Sequence, residues 1–253
     1  MKKIDFVVAD KRYEYNVPEN WNEVTEGQFR IYVEINSFTL DLVRRVIGMD
    51  DVVAVSLTTA DWWMVCKEFE WMKVTDGIGK LYVDKVTLKD GTVCYGYNSD
   101  FSDVTWEEWM FADTYASRGR WDVVAAVLYR PEREDWNRET DRRIPFSKFG
   151  ASDRTGQMAE LDELTLQSIK VNYLLLRKRM TDHYYHIFTD YNDEETTTEA
   201  DKKKQGPTDW LTIIRNMMGD NFYEEQKYYQ LSVPSVLFQL ESRVKEAHKN
   251  GKC

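Results

Sequence analysis

Two of the three histidines lie three residues apart, in the segment DHYYHIFTD. On a helix, His183 and His186 would share one face, with Asp182 and Asp190 close by in sequence. Imidazole and carboxylate groups are ligands for Zn²⁺, so this spacing raises the hypothesis of a metal-dependent intracellular hydrolase. A zincin motif requires HExxH, however, and two tyrosines occupy the space between these histidines. A pair of imidazoles at a surface or an interface is the preferred interpretation.

The motifs of other enzyme classes do not occur in the sequence. Nucleophilic catalysis requires an activated serine or cysteine, but there is no GxSxG segment and no cysteine has a neighbouring histidine. Cys66, Cys94 and Cys253 form no CxxC pair, and we expect the first two to be buried thiols. The segment DGIGK at 76–80 lacks the spacing of a phosphate-binding loop. We therefore predict a protein that is not an enzyme and that binds no cofactor.

The composition indicates a globular, acidic protein. Lys and Arg number 34 against 44 Asp and Glu, which gives a net charge of −10 and argues against direct nucleic-acid binding. Aromatic residues make up 14% of the chain, enough for a core and for aromatic contacts with other proteins. The first residues, MKKIDFVVADKRYEY, contain too short an apolar run for a signal peptide or a membrane span. We expect synthesis in the cytoplasm and no membrane partner.

The spacing of apolar residues predicts a mainly helical protein with some β structure. Apolar and polar residues alternate at 4–17 and at 80–97, which predicts two β-hairpins, and Asp90-Gly91 in the second is a typical hairpin turn. Elsewhere the apolar residues recur with helical spacing. The helices predicted in this way cover 26–47, 60–74, 106–117, 120–129 and 155–189. The expected class is α+β, mainly α-helical with one or two small antiparallel β-hairpins.

A charged segment, NDEETTTEADKKKQGP, suggests the division into domains. It occupies 192–207, and its composition is typical of an exposed loop. Helical spacing resumes after it, and in the last helix Ser232 is the expected N-cap, with Pro234 in the first turn. We predict a hairpin-plus-helix core domain at 1–191, an exposed charged loop at 192–207 and a C-terminal helical extension at 208–253.

The segment WNEVTEGQF at 21–29 returns in altered form as FSDVTWEEW at 101–109. Both contain a threonine followed three residues later by Gln or Glu, the pattern of a capping box that begins a helix. A third version, LTTADW, begins at residue 57. The predicted pairs are Thr25 and Gln28, Thr58 and Asp61, and Thr105 and Glu108. Helix capping explains the similarity, and the sequence leaves open whether the two nine-residue segments arose by duplication.

A charged and aromatic segment follows the apolar helix predicted at 120–129. It reads YRPEREDWNRETDRRIPFSKF, and we call it, residues 129–149, the arm. Arginine and aromatic residues are enriched at protein interfaces, so one interpretation is that the arm contacts other proteins. The candidate contact residues are Tyr129, Arg130, Arg133, Trp136, Arg142, Arg143, Phe146 and Phe149. The alternative is a solvated connection that Ile144-Pro145-Phe146 anchors to the core.

Two segments of the chain resemble a known group of proteins. VPENWNEVTEGQF, which follows the first hairpin, and AVLYRPERED with RIPFSKFG, which precede a long helix, resemble small proteins from the structural and tail-assembly gene blocks of tailed bacteriophages. The resemblance covers residues 14–30 and 119–150, and it is strongest to phages that infect Bacteroidetes, including the crAss-like group.

The resemblance implies a non-enzymatic role with no catalytic residues. One implied role is a virion structural protein, a subunit of a ring in the neck or tail connector. Such a subunit would contact copies of itself and other neck, tail or portal proteins, and it would lie in the virion after synthesis in the host cytoplasm. The other implied role is a tail-assembly chaperone that is absent from the mature particle.

Overall fold

The computed structural model of the protein describes residues 1–137, 140–188, 215 and 225–249. The predicted α+β class is confirmed, because 56% of the structure is helical and its strands form two small antiparallel sheets. The predicted loop at 192–207, Asp190 and Cys253 lie outside the described residues, as do most of the residues between that loop and 225.

The chain forms two compact units. The first comprises Met1–Val83 and Asp162–Leu176, and the second comprises Asp84–Leu161 and Arg177–Cys253. The predicted boundary at residue 191 lies outside the described residues, so the three-part division stays a prediction. The two similar segments at 21–29 and 101–109 fall in different units.

The first unit begins with the first predicted hairpin. Strands β1 (Lys2–Val8) and β2 (Lys11–Val17) pair antiparallel, and the two turn residues between them have positive φ angles of 49° and 62°. This left-handed conformation matches the twist of a tight two-residue hairpin. The alternation of side chains places Tyr15 and Val17 in the core, and the charged residues face outward.

Four short helices follow in the first unit: α1 (Glu26–Ile35), α2 (Leu40–Ile47), α3 (Asp51–Ser56) and α4 (Thr59–Glu68). The prediction of one continuous helix over 26–47 was wrong. Asn36 adopts a left-handed conformation with φ of 51° and ends α1, and the Thr39 side chain caps α2. A 3₁₀ helix at Glu70–Lys73 follows α4, within the helix predicted at 60–74.

The core of the first unit is aromatic and is completed by a buried asparagine. Phe29 stacks on Tyr82 with ring centroids 4.2 Å apart, and the Tyr82 hydroxyl donates to the carbonyl of Trp21 at 2.6 Å. Asn172 accepts from the Tyr82 backbone N–H at 2.7 Å and donates to the Lys80 carbonyl at 3.0 Å. This amide therefore satisfies two backbone groups of a segment that has no regular structure.

The second unit contains a small sheet and the apolar helix. Strands β3 (Lys85–Thr87), β4 (Val93–Tyr95) and β5 (Arg130–Pro131) form the sheet, in the order β3-β4-β5. The helices that follow β4 are α5 (Trp106–Ser117) and α6 (Trp121–Leu128). The side chains at 123–128 are all buried, because α6 runs through the core of this unit.

The long helix predicted at 155–189 is interrupted twice. The structure has α7 (Lys148–Met158), α8 (Glu163–His183) and α9 (Tyr185–Phe188). Asp162 causes the first break, because its carboxylate accepts from the Thr165 backbone N–H at 2.9 Å and so begins a new helix. Two further helices, α10 (Glu225–Gln230) and α11 (Val233–Lys249), belong to the second unit, and Ser232 occupies the position immediately before α11.

The capping boxes are formed in two of the three predicted places. Thr25 with Gln28, and Thr58 with Asp61, make both reciprocal hydrogen bonds. At the start of α5, Thr105 accepts from the backbone N–H of Glu108, but the Glu108 carboxylate does not return the bond. That carboxylate instead lies in the core, against Arg130.

Candidate protein interface

The arm folds as a hairpin that extends the small sheet. Its first residues pair with β4 as strand β5, and Glu132 then forms an antiparallel bridge with Arg143. The Arg133 backbone N–H donates to the Arg142 carbonyl at 2.9 Å, and the Ile144 N–H donates to the Pro131 carbonyl at 2.9 Å. The arm is thus held by its own backbone bonds.

Three arginines satisfy the buried end of α6. The last carbonyls of a helix have no partner within it, and around α6 they lie in the core, away from water. Arg154 donates to the Ala126 carbonyl at 2.9 Å. Arg130 and Arg143 donate to the next two carbonyls, at 3.0 Å and 2.9 Å. Their positive charge also complements the negative end of the helix dipole.

Three carboxylates balance these arginines. Glu108 lies 3.0 Å from Arg130, and Asp141 contacts both Arg130 and Arg143, at 3.0 Å and 2.9 Å. Asp103 contacts Arg143 at 3.2 Å. Arg130 and Arg143 are each only 1% exposed. We call these two arginines and three carboxylates the buried network, and it joins the arm to the start of α5.

Burial acts on the charges of the buried network, and the ion pairs oppose it. Burial raises the pKa of Glu108, while the guanidinium groups of Arg130 and Arg143 pull that pKa down. Burial likewise raises the pKa of Asp103, and it lowers the pKa of Arg130. Glu108 pairs with Arg130 and Asp103 pairs with Arg143, so removal of either arginine leaves one of these carboxylates without its ion-pair partner.

On the exposed side of the arm, one arginine lies between an aromatic ring of the arm and an aromatic ring of β4. The Arg142 guanidinium lies 3.5 Å from the centre of the Tyr95 ring and 5.0 Å from the centre of the Trp136 ring. Both distances are within the range of cation–π attraction. Trp136 is 39% exposed and donates its indole N–H to the Thr140 carbonyl at 3.3 Å. We call Tyr95, Trp136 and Arg142 the surface cluster.

The structure separates the eight candidate contact residues into two groups. Tyr129, Arg130 and Arg143 are buried in the second unit, so the prediction that they form a contact surface was wrong for these three. Their physical role is to complete the core and the end of α6. The other five candidates are partly or fully exposed. These are Arg133, Trp136, Arg142, Phe146 and Phe149.

Each end of the arm is anchored. At the β5 end the buried network holds it, and near its other end Phe146 packs against Phe111, with ring centroids 5.9 Å apart. The predicted anchor at Ile144-Pro145-Phe146 is therefore present at Phe146, whereas Pro145 and Phe149 are exposed. Phe149 is 85% exposed.

Sequence reasoning missed four residues of this site. It read Glu108 as a capping residue and assigned no role to Tyr95, Asp103 or Asp141. A signal for the acids exists in the sequence, because a helix as apolar as α6 must be buried, Arg130 follows it by two residues, and a buried arginine requires carboxylate partners. The sequence gives less indication that Tyr95 belongs to the site, since its contact with Arg142 depends on the register of β4 against β5.

The histidine pair does not form a metal site in the described part of the chain. His186 lies 3.8 Å from Glu241, His183 packs its ring against Tyr184, and Asp182 pairs with Lys178 at 2.6 Å. Among the described residues, no group of three or more His, Cys, Asp or Glu side chains is placed to hold a metal ion. Asp190 lies outside those residues.

The prediction of buried thiols is confirmed for Cys94, whereas Cys66 is half-buried. Burial raises the pKa of Cys94 to about 11, and it also raises the pKa of Cys66. Because the thiolate is the reactive form, we expect iodoacetamide to leave Cys94 unmodified in the folded protein near neutral pH. Peptide mapping by mass spectrometry would measure this, with the urea-unfolded protein as the control. Rapid modification of Cys94 in the folded protein would contradict the expectation.

None of the helices in the described part of the chain has the length and hydrophobicity needed to cross a membrane. Comparison with known proteins gives no matching family model, no matching curated protein and no matching solved structure. The geometry of the arm is therefore the main basis for a functional proposal.

Proposed function

We propose that this protein acts without catalysis, through protein–protein contacts made by the exposed side of the arm. The observation that carries the proposal is the surface cluster, in which Arg142 and Trp136 of the arm hairpin are held against the Tyr95 ring of the adjacent strand β4. Arginine, tryptophan and tyrosine are the residues that most often dominate binding energy at interfaces. A preformed cluster loses little conformational entropy when it binds.

The setting of the proposed contact is a tailed-bacteriophage particle. The resemblance of residues 14–30 and 119–150 to phage structural proteins supports this setting, and the second of these segments contains the whole arm. In this role the protein is a virion structural component, a subunit of a ring in the neck or tail connector. Its partners are neighbouring copies of itself and other neck, tail or portal proteins.

The test combines particle composition with association in solution. Mass spectrometry of purified particles of the phage that encodes the chain is expected to find its peptides at many copies per particle. Light scattering, alone and with neighbouring proteins of the same gene block, would measure association. We expect the double substitution of Trp136→Ala and Arg142→Ala to weaken association by at least about tenfold, as hot-spot residues do.

Trp63→Ala is the matched control, because Trp63 is 65% exposed in the other unit and lies outside the arm. Association that survives the double substitution would contradict the role of the arm. If the peptides were absent from mature particles but the protein still associated in solution, the role would be that of a tail-assembly chaperone and not of a ring subunit. If the peptides were absent from mature particles and the protein did not associate in solution, the proposal would be rejected.

A further inference from the structure

The Arg142 guanidinium is held in one orientation by three neighbours. The Tyr95 and Trp136 rings contact it, and its Nε donates to Glu132 at 2.6 Å. The backbone on both sides is also fixed, since the Arg142 carbonyl accepts from Arg133 N–H. A long side chain that would otherwise sample many rotamers is therefore ordered before any partner arrives.

The outer edge of this guanidinium is unused. Glu132 takes the Nε donor, and no group in the described part of the chain accepts a hydrogen bond from Nη1 or Nη2 of Arg142. The side chain is 41% exposed, so water reaches it. Nη1 and Nη2 carry N–H donors in one plane, which is the arrangement that binds both oxygens of a carboxylate.

Arg133, on the same hairpin, shows the contrasting case. Its Nε and Nη2 donate to the two oxygens of Asp135, at 2.6 Å and 2.8 Å. Two of its donors are thus already bound to a carboxylate within the chain. The two arginines therefore differ in the number of donors that they offer to a partner, although both lie in the arm.

We propose that Arg142 receives the carboxylate of an aspartate or glutamate side chain from the partner protein, through Nη1 and Nη2. This inference rests on the proposed function, because it names the chemistry of the partner at the surface cluster. Where that partner is a second copy of this chain, carboxylates are abundant, since the chain has 44 Asp and Glu residues against 34 Lys and Arg. An acidic neighbour would meet at Arg142 a cationic edge whose Nη1 and Nη2 are bound by no carboxylate among the described residues.

The test titrates the isolated full-length protein with small probes and records side-chain NMR signals. The probes are the peptide acetyl-Gly-Glu-Gly-amide, its neutral counterpart with glutamine, and inorganic phosphate. The reporters are the Trp136 indole N–H and the Arg142 Nε–H signals, each assigned by its loss in Trp136→Phe or Arg142→Gln. We expect saturable shifts of both signals with the glutamate peptide and none with the glutamine peptide.

The variants separate charge from geometry. We expect Arg142→Gln to abolish the response, and Arg142→Lys, which keeps the charge but lacks the planar pair of donors, to weaken binding by about tenfold. Arg133→Gln is the matched control and is expected to bind like the wild type. The backbone spectrum of each variant would verify folding.

Three results would overturn the inference. They are no shift with the glutamate peptide, equal binding by Arg142→Lys, and binding of phosphate as tight as that of the carboxylate. Failure of the proposed function has a different signature, because the probe titration does not depend on assembly. Carboxylate binding by a protein that is absent from phage particles and does not associate with its neighbours in solution would reject the phage role and leave the Arg142 site in place.

Discussion

Replacement of Arg143 with leucine is expected to lower the free energy of unfolding by about 3–5 kcal/mol, the usual cost of removing one partner from a buried ion pair. The substitution leaves Asp103 and Asp141 without their closest cation. It also removes the donor to the Leu128 carbonyl at the end of α6. Leucine restores some apolar contact but supplies no hydrogen bond, so Asp103 loses its cation and Asp141 keeps only its contact with Arg130, in partly buried surroundings that disfavour an unpaired charge.

Urea unfolding followed by tryptophan fluorescence would measure the Arg143→Leu effect. The adjacent arginine supplies the control, since Arg142→Leu changes an exposed side chain, and an exposed ion pair contributes only about 0–1 kcal/mol. Equal loss of stability in the two variants would show that the buried network does not stabilise this unit. A shift of the midpoint with an unchanged slope would indicate that the folded state is otherwise intact.

The second large effect is expected from Phe29→Ala in the first unit. Phe29 is fully buried and stacks on Tyr82 with an angle of 9° between the rings. Removal of a buried phenylalanine side chain typically costs about 3–5 kcal/mol, because apolar contacts are lost and a cavity remains. Tyr82 would also lose the ring that positions it, although its hydroxyl still donates to Trp21.

Phe149→Ala provides the comparison for Phe29→Ala, because Phe149 is 85% exposed. Its substitution is expected to change stability by less than about 0.5 kcal/mol. Thermal and urea unfolding of both variants would give the difference directly. A Phe29→Ala protein as stable as Phe149→Ala would mean that the aromatic core of the first unit repacks without loss.

Local interactions explain which parts of the fold could be predicted from the sequence. The starts of α1 and α4 depend on a threonine and a residue three positions later, so the capping boxes were found. The first hairpin follows from alternation over its two strands. The helix breaks at Asn36 and Asp162 were missed, because apolar spacing continues on both sides and one residue decides the backbone conformation.

The candidate site depends on contacts between residues that are distant in sequence. Arg142 and Arg143 are adjacent and chemically identical, yet one lies on the surface and the other is 1% exposed. Because Glu132 pairs with Arg143, the Arg143 side chain points inward and the Arg142 side chain points outward. The identity of these two residues does not determine that register. The sequence therefore indicates an arginine-rich arm but not which arginines can contact a partner.

The dependence of α6 on later residues sets an order for its folding during synthesis. The carbonyl groups at the end of this helix accept hydrogen bonds from arginines that are translated later than the helix. The last of these arginines is Arg154. In a nascent chain that stops before Arg154, the apolar helix α6 is complete but lacks a hydrogen-bond donor for one of its last carbonyls. Burial of that helix end would leave this carbonyl without a partner. The second unit should therefore become resistant to protease only in chains that extend through α7, and shorter nascent chains should expose α6 to chaperones.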